Sequence, residues 1–284
     1  MHRFMKLRHT DQYRVAFILT CLAACILLPE IASGATFAVR ISPPNFELKA
    51  KPGEILRNII TIENADIDTG IYSIRTADWD LNIQGGVIIH PQDKALASGS
   101  CRPWTRLERT KLQLAPGKTK RYRFEVHVPD DIQNGWCKFA IVVAPAPGTF
   151  DSMQMGNLSV PITGSIAVIV YVTVGDAAPD LVLEGAKRIN ADGAEPLAML
   201  SLKNRGNAHA RPFGILAVTD SNGKSAELMI VPFPVLPGET RDIQLGVDSR
   251  LSGIEKMSEL VFPIFLKGLI EWEGAAARIE TSIE

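Results

Sequence analysis

Cysteine is scarce. Of four cysteines in 284 residues, only Cys101 and Cys137 lie beyond residue 35, so a zinc site has no further thiols, and His90, His127 and His209 are scattered rather than spaced as a ligand set. Aromatic residues make up 7%, and the net charge is −1. With no run of Lys or Arg interleaved with aromatics, this balance argues against a nucleic-acid partner. The H-E-x-x-H, G-x-S-x-G and phosphate-cradling glycine patterns are missing as well, so nothing points to a local catalytic or nucleotide-binding motif. The chain therefore reads as a non-enzyme, with no cofactor, metal or catalytic residues expected.

A long 3.6-residue periodicity is missing too, and so is any apolar run of membrane-spanning length after the first thirty residues. The N-terminus supplies the one long apolar stretch. Arg3, Lys6, Arg8 and Arg14 precede "VAFILTCLAACILLPEI", and the small residues Ala32, Ser33, Gly34 and Ala35 follow. This order reads as a secretory signal peptide over residues 1–35, cleaved after Gly34 or Ala35. A membrane anchor is the rival reading, but Val15 to Leu28 is short for a span of about 20 residues, and Pro29 ends it. "LAAC", ending at Cys25, resembles a lipoprotein box that would anchor the product through that cysteine, although the apolar Ile26, Leu27 and Leu28 argue against it. All but the anchor place the chain outside the cytoplasm. In an oxidising compartment Cys101 and Cys137 form an even pair, expected to be a disulfide, with two buried free thiols as the alternative.

What fills the remainder is a series of short apolar-patterned runs separated by turn residues. "FAVRIS" sets Phe37, Val39 and Ile41 on one face before a Pro-Pro break, and "GEILRNIITIEN" sets Leu56, Ile60 and Ile62 against Ile55, Ile59 and Thr61. Period-2 alternation rich in Val, Ile, Tyr, Phe and Thr, at intervals of about ten residues, predicts an all-β chain of antiparallel sandwiches or barrels. "GSIAVIVYVTV", Gly164 to Val174, is the last run of the first series and carries no charge. A Gly/Pro/Ala joint at Gly175 to Pro179 follows, which divides the chain into a first domain over 36–175 and a second over 178–284. In the second, "DSNGK" places Asn222-Gly223 between apolar runs, a strong hairpin signal.

The two halves share phrasing. "IITIENADIDTG" matches "LSLKNRGNAHA": an alternating strand, an Asn, then a turn. "LQLAPGKTKRYRFEV" matches "FPVLPGETRDIQLGV", with Leu, Pro and Gly before a charged turn. The parallels point to two versions of one unit.

These phrases resemble the periplasmic chaperones of fimbriae, the PapD-like family. "NIITIENADIDTGIYSIRTADWD", Asn58 to Asp80, looks like the family's B and C strands, and "LAPGKTKRYRFEVHVPDD", Leu114 to Asp131, like the turn and strand that end in a proline. The resemblance implies two immunoglobulin-like β-sandwich domains in tandem, a periplasmic location, exported pilus or surface-fibre subunits as partners, and an outer-membrane usher among those partners. It makes "GSIAVIVYVTV" the G strand of domain one, along which a subunit would bind by strand addition. On that strand Ile166, Val168, Val170 and Val172 point one way and Ala167, Ile169, Tyr171 and Thr173 the other. The first set is assigned to the subunit, together with Arg40, which stands where the family has a cleft Arg. The family's G-strand Lys has no counterpart in residues 164–174, and "PQDKALASGSCRPWTR", Pro91 to Arg106, departs from the family's middle region. A structural or adhesive cell-surface module, or one that binds cell wall, is the alternative function.

Three smaller patterns read as ordinary structure. "NADIDTG", Asn64 to Gly70, mimics a calcium loop, but its Gly falls one place late and Arg75 stands where a bidentate Glu belongs, so a hairpin turn is expected. Asp78 and Asp80 flank Trp79 as alternate residues of a strand with a solvated face. Asn157-Leu158-Ser159 fits a glycosylation sequon that matters only in a eukaryotic secretory pathway.

Overall fold

The computed structural model describes residues 37–82, 85–91, 95–147, 151–155, 158–162, 164–190 and 193–284. The expected signal peptide, its cleavage site, Cys25 and Asn157 lie outside these residues. Residues 37–150 and 163–284 form one compact unit.

Its first half carries β1 (Val39–Ser42), β2 (Asn45–Ala50), β3 (Ile55–Asn64), β4 (Gly70–Ala77), β5 (Trp79–Leu81), β6 (Val87–Ile89), β7 (Thr105–Leu107), β8 (Lys111–Leu114), β9 (Thr119–His127) and β10 (Gly135–Pro145). The ribbon β11 (Asp151–Met155) and β12 (Leu158–Ile162) comes next in sequence and pairs with itself, and β13 (Ile166–Val174) ends the series. One sheet has the order β1-β3-β9-β7 and the other β2-β13-β10-β4-β8. The inward residues of both fill one core, in which Ile60, Ile62, Tyr122, Phe124, Val126, Phe139, Ile141 and Val143 are almost wholly buried. The alternation read from the sequence is therefore a sandwich, with Leu56, Ile60 and Ile62 facing in.

The expected hairpin after Asn64 is not one. β3 lies in the first sheet and β4 in the second, so the Asn64–Gly70 turn carries the chain across the sandwich. Both strands were legible, but which sheet each would join depends on β9 and β10, far along the chain.

The second half carries β14 (Leu181–Ile189), β15 (Leu197–Asn204), β16 (Ile215–Asp220), β17 (Ser225–Ile230), β18 (Thr240–Gly246), β19 (Ile264–Trp272) and β20 (Ala275–Ile283). They run in the order β14-β15-β18-β17-β16-β19-β20, and β14 lies alongside β20, which wraps the sheet around a second core of Leu200, Leu202, Leu216, Leu228, Ile243, Ile264 and Leu266. β16 and β17 form the hairpin expected at Asn222-Gly223. Gly223 has a φ of +83°, and the Asp220 carboxylate accepts the amides of Asn222, Lys224 and Val261.

The phrases shared by the halves have one physical cause. Asn64 ends β3 and Asn204 ends β15, and both side chains are fully buried. Asn64 Nδ2 donates to the carbonyls of Asp68 (2.7 Å) and Leu114 (3.0 Å), while Oδ1 accepts from Asp66 N (3.0 Å). Asn204 Nδ2 donates to Ala208 (2.8 Å) and Val235 (2.9 Å), while Oδ1 accepts from Gly206 N (2.9 Å) and Asp180 N (3.2 Å). The glycine of each "PG" turn, Gly117 at φ +64° and Gly238 at φ +78°, donates its amide to the backbone carbonyl of the matching Asn. A strand end is thus plugged by the same amide twice, because a buried turn must satisfy its own carbonyls.

Candidate functional site

β13 pairs antiparallel with β10 along its whole length, from Ile166 opposite Val143 to Val174 opposite Gly135. Its lack of charge follows from burial of both faces. Val168, Val170, Val172 and Val174 point into the sandwich core. Ala167, Ile169 and Tyr171 point outward, yet they join a smaller apolar cluster with Ala77, Trp79, Ala140, Val142 and Leu236. Trp79 packs edge-on against Tyr171 at 5.4 Å between ring centroids. A strand covered on both faces reads as a continuous apolar run.

The other edge of β13 is only partly filled. β2 pairs with it in parallel from Asn45 opposite Ile169 to Ala50 opposite Val174, and the Ile169 amide donates to Pro44 O. Among the described residues no strand lies beside Ile166, Ala167 and Val168 on that edge. Since alternate amides of a strand point to opposite edges, the Ala167 amide points the same way as that of Ile169, into the unfilled stretch.

A polar cluster, buried at Asp78 and Lys138 and open to solvent at Asp80, sits on the outer side of this sheet. Lys138 is only 6% exposed, and Cys137 before it turns inward, as strand alternation requires. Lys138 Nζ donates to Trp79 O (2.7 Å) and Asp80 Oδ1 (2.6 Å) and lies 4.5 Å from the Trp79 ring centroid. Asp80 Oδ2 is 2.7 Å from His90 Nε2. Asp78 accepts from Ser100 Oγ, Arg102 Nη1 (3.0 Å) and Ala97 N (3.3 Å). Burial pushes both carboxyl groups up, but hydrogen bonds from Ser100 and Arg102 to Asp78, and from Lys138 and His90 to Asp80, outweigh it and hold both below the usual range. Asp78, expected on a solvated face, is instead buried, because its partners come from the segment after Ala97.

The expected disulfide is present: Cys101 and Cys137 are bonded, with Cα atoms 5.5 Å apart. Their neighbours in sequence are Arg102 and Lys138, so the bond ties the turn carrying Arg102 to β10 and fixes both cations of the cluster.

A second polar group lies where β2 and β13 meet residues of the second half. Glu47 accepts from Arg211 Nε, and its Oε2 is 3.5 Å from His209 Nε2. The His209 ring stacks on Tyr171, with centroids 4.1 Å apart. The hydrogen bond from His209, followed by that from Arg211, brings the Glu47 carboxyl down to about 2 against the opposing effect of burial. Burial also pushes the Tyr171 hydroxyl up to about 12.

The residues assigned from sequence separate accordingly. Val168, Val170 and Val172 are fully buried in the chain's own core, and Ile166 at the open end is partly exposed. Arg40 does not join them. It lies on β1, in the opposite sheet, with its side chain 69% exposed and paired to Glu63 at 2.7 Å. Val39 and Ile41 turn inward, which sends Arg40 away from β13. Sequence reasoning missed Glu47, Arg102, Lys138, His209 and Arg211. For Lys138 there was a signal: it is the one charge in "GWCKFAIVV", a run apolar on both faces. The others stand in ordinary polar contexts, and only the tertiary fold collects them.

No protein-family model and no curated protein matches the sequence. Among solved structures, the chain is similar to the class 5 fimbriae chaperone CfaA, at 12% identity and a TM-score of 0.45 over 86% of this chain and 98% of that one. It is similar to the chaperone–tip adhesin complex of CFA/I fimbriae biogenesis at 13% identity and a TM-score of 0.46, again over 86% and 98%. It is also similar to the CsuC–CsuE chaperone–tip adhesion subunit complex of Acinetobacter baumannii, at 15% and 0.40 over 88% and 100%. The chain itself is all-β, its first half a sandwich of two sheets and its second half one seven-stranded sheet wrapped around its own core.

Proposed function

We propose that the protein is a periplasmic, chaperone-like binder of exported pilus or surface-fibre subunits, and that a subunit adds a strand to the open edge of β13. The observation that carries this reading is the unfilled edge at Ile166–Val168, next to the Ile169–Val174 stretch that β2 already occupies. Main-chain groups left unpaired at a sheet edge are a template for an incoming strand, and their hydrogen bonds supply affinity without sequence preference. In this reading Val168, Val170 and Val172 hold β13 rigid from below, and Ile166 contributes apolar surface at the open end. Arg40, on the opposite sheet, serves only a subunit large enough to reach both.

Ala167→Pro tests the reading, because it removes one edge-facing amide and leaves the alternate amides that face β10. Recovery of co-purifying exported polypeptides from periplasmic extract is expected to fall sharply with Ala167→Pro and not with Thr173→Val. Equal recovery with both variants, at an unchanged melting transition, would refute strand addition.

A further inference from the structure

Among the described residues Arg75, on β4, has no acidic partner. Its row across the second sheet runs from Arg75 through Val142 on β10 to Ala167 on β13. At about 4.8 Å between neighbouring strands, Arg75 and Ala167 are roughly 10 Å apart on the outer face. The other cations of this face are matched, Arg102 with Asp78 and Lys138 with Asp80. The Arg75 side chain makes no hydrogen bond or ion pair among the described residues, and its Nη1 is fully buried without an acceptor. Arg102 adds a second orphan, its buried Nε, although its Nη1 is engaged by Asp78. A buried guanidinium N–H without an acceptor forfeits a charge-assisted bond and is costly to leave unmade. The two side chains are also close enough that the Arg102 charge adds to burial in weakening the hold of Arg75 on its proton.

We propose that Arg75, with Arg102 beside it, forms an oxyanion site on the outer face of the second sheet, and that its ligand is a carboxylate. The planar fork of a guanidinium donates to both oxygens of a carboxylate at once. Among the described residues one positive charge is left uncompensated, which suits a monoanion. The neighbouring Asp78 carboxylate and the apolar surround of Ala77, Ala140 and Val142 disfavour a doubly charged one. The site stands independently of strand addition, since neither Arg75 nor Arg102 has an edge-facing role on β13.

The oxidised full chain can be titrated with sodium acetate, with sodium chloride at matched ionic strength and sodium sulfate as comparison arms. The readouts are the melting temperature and the 1H–15N signals of the arginine Nε–H groups. Acetate is expected to raise the melting temperature saturably and to shift the Arg75 and Arg102 signals, with chloride giving no such response and sulfate a weaker one. Arg75→Gln should abolish the acetate response without lowering stability in chloride. Arg75→Lys, which keeps the charge and loses the fork, should weaken apparent affinity about tenfold or more. A response shared by Arg75→Gln, or wild-type arginine signals that do not move with acetate, would overturn the site, and a sulfate response stronger than that of acetate would overturn the carboxylate assignment. If Arg75→Gln fails to fold, the wild-type signals and the lysine variant still decide.

Discussion

Truncating the two plug asparagines tests the internal repeat as physics. Asn64→Ala removes three hydrogen bonds, two donated by Nδ2 and one accepted by Oδ1. Asp68 is exposed, so water replaces the donor to its carbonyl, whereas Leu114 is buried and its carbonyl loses that donor. Counting about 1 kcal/mol net per hydrogen bond and about 1–3 kcal/mol for a buried group left unpaired, the loss should be about 2–4 kcal/mol. Asn204→Ala should cost more, because it removes four hydrogen bonds rather than three and leaves the buried Ala208 carbonyl without its donor, while the Val235 carbonyl keeps the Ala210 amide. Urea unfolding followed by tryptophan fluorescence separates the halves, since Trp79, Trp104 and Trp136 lie in the first and Trp272 in the second. Asn64→Asp and Asn204→Asp keep the acceptor and lose the donors, so they should fare no better than alanine. A loss below about 0.5 kcal/mol for both alanine variants, or a larger loss for Asn64→Ala than for Asn204→Ala, would refute the plug reading.

Other outcomes follow from the same geometry. Cys101→Ser with Cys137→Ser opens a loop of 36 residues and should lower stability by about 3–4 kcal/mol on the chain-entropy model, read by urea unfolding under oxidising conditions. Lys138→Ala should cost more than Lys138→Met in the same assay, because methionine keeps the packing over Trp79 while both remove the partner of the Asp80 carboxylate. The Glu47 carboxyl is lowered from its ordinary 4.5 to about 2. Its contribution is therefore present above about pH 4.5 and fades as pH falls toward 2, so Glu47→Gln should flatten the acid limb of the melting profile over that window. For location, a soluble periplasmic pool in cell fractionation fits the chaperone-like reading, and a cell-surface pool fits the structural module.

Strand content was legible because both cores depend on period-2 alternation: Tyr122, Phe124 and Val126 on β9 could be assigned to one face by inspection. The Asn and Pro-Gly repeat was legible because each plug is local in sequence at one end. Sheet membership was not, since the Asn64–Gly70 turn looks the same whether it closes a hairpin or crosses the sandwich. The polar cluster was hidden for the same reason: Lys138 meets Asp80 only once β5 lies against β10, and Asp78 meets Arg102 only once the turn that the disulfide ties to β10 is in place. The valines of β13 were visible as a set, but period-2 alternation alone does not say which of two apolar faces is the inner one.

The double burial of β13 restricts how a guest can pair with it. Neither face is free from Val168 to Val174, because the inner one belongs to the main core and the outer one carries Trp79, Leu236 and the stacked His209. A guest that claimed the whole edge would have to displace β2, whose Phe46 packs edge-on against Phe124 at 5.2 Å and whose Leu48 and Ala50 also pack on the core. Uncovering those side chains costs about 1.5–3 kcal/mol for each large one, and Glu47 would lose Arg211 and His209 as well. Pairing that leaves β2 in place is therefore favoured, so a guest strand would register at Ile166–Val168 and extend away from Asn45. Binding governed by that register depends on the Ala167 amide, while changes on β2 reach it only through the stability of the edge they leave covered.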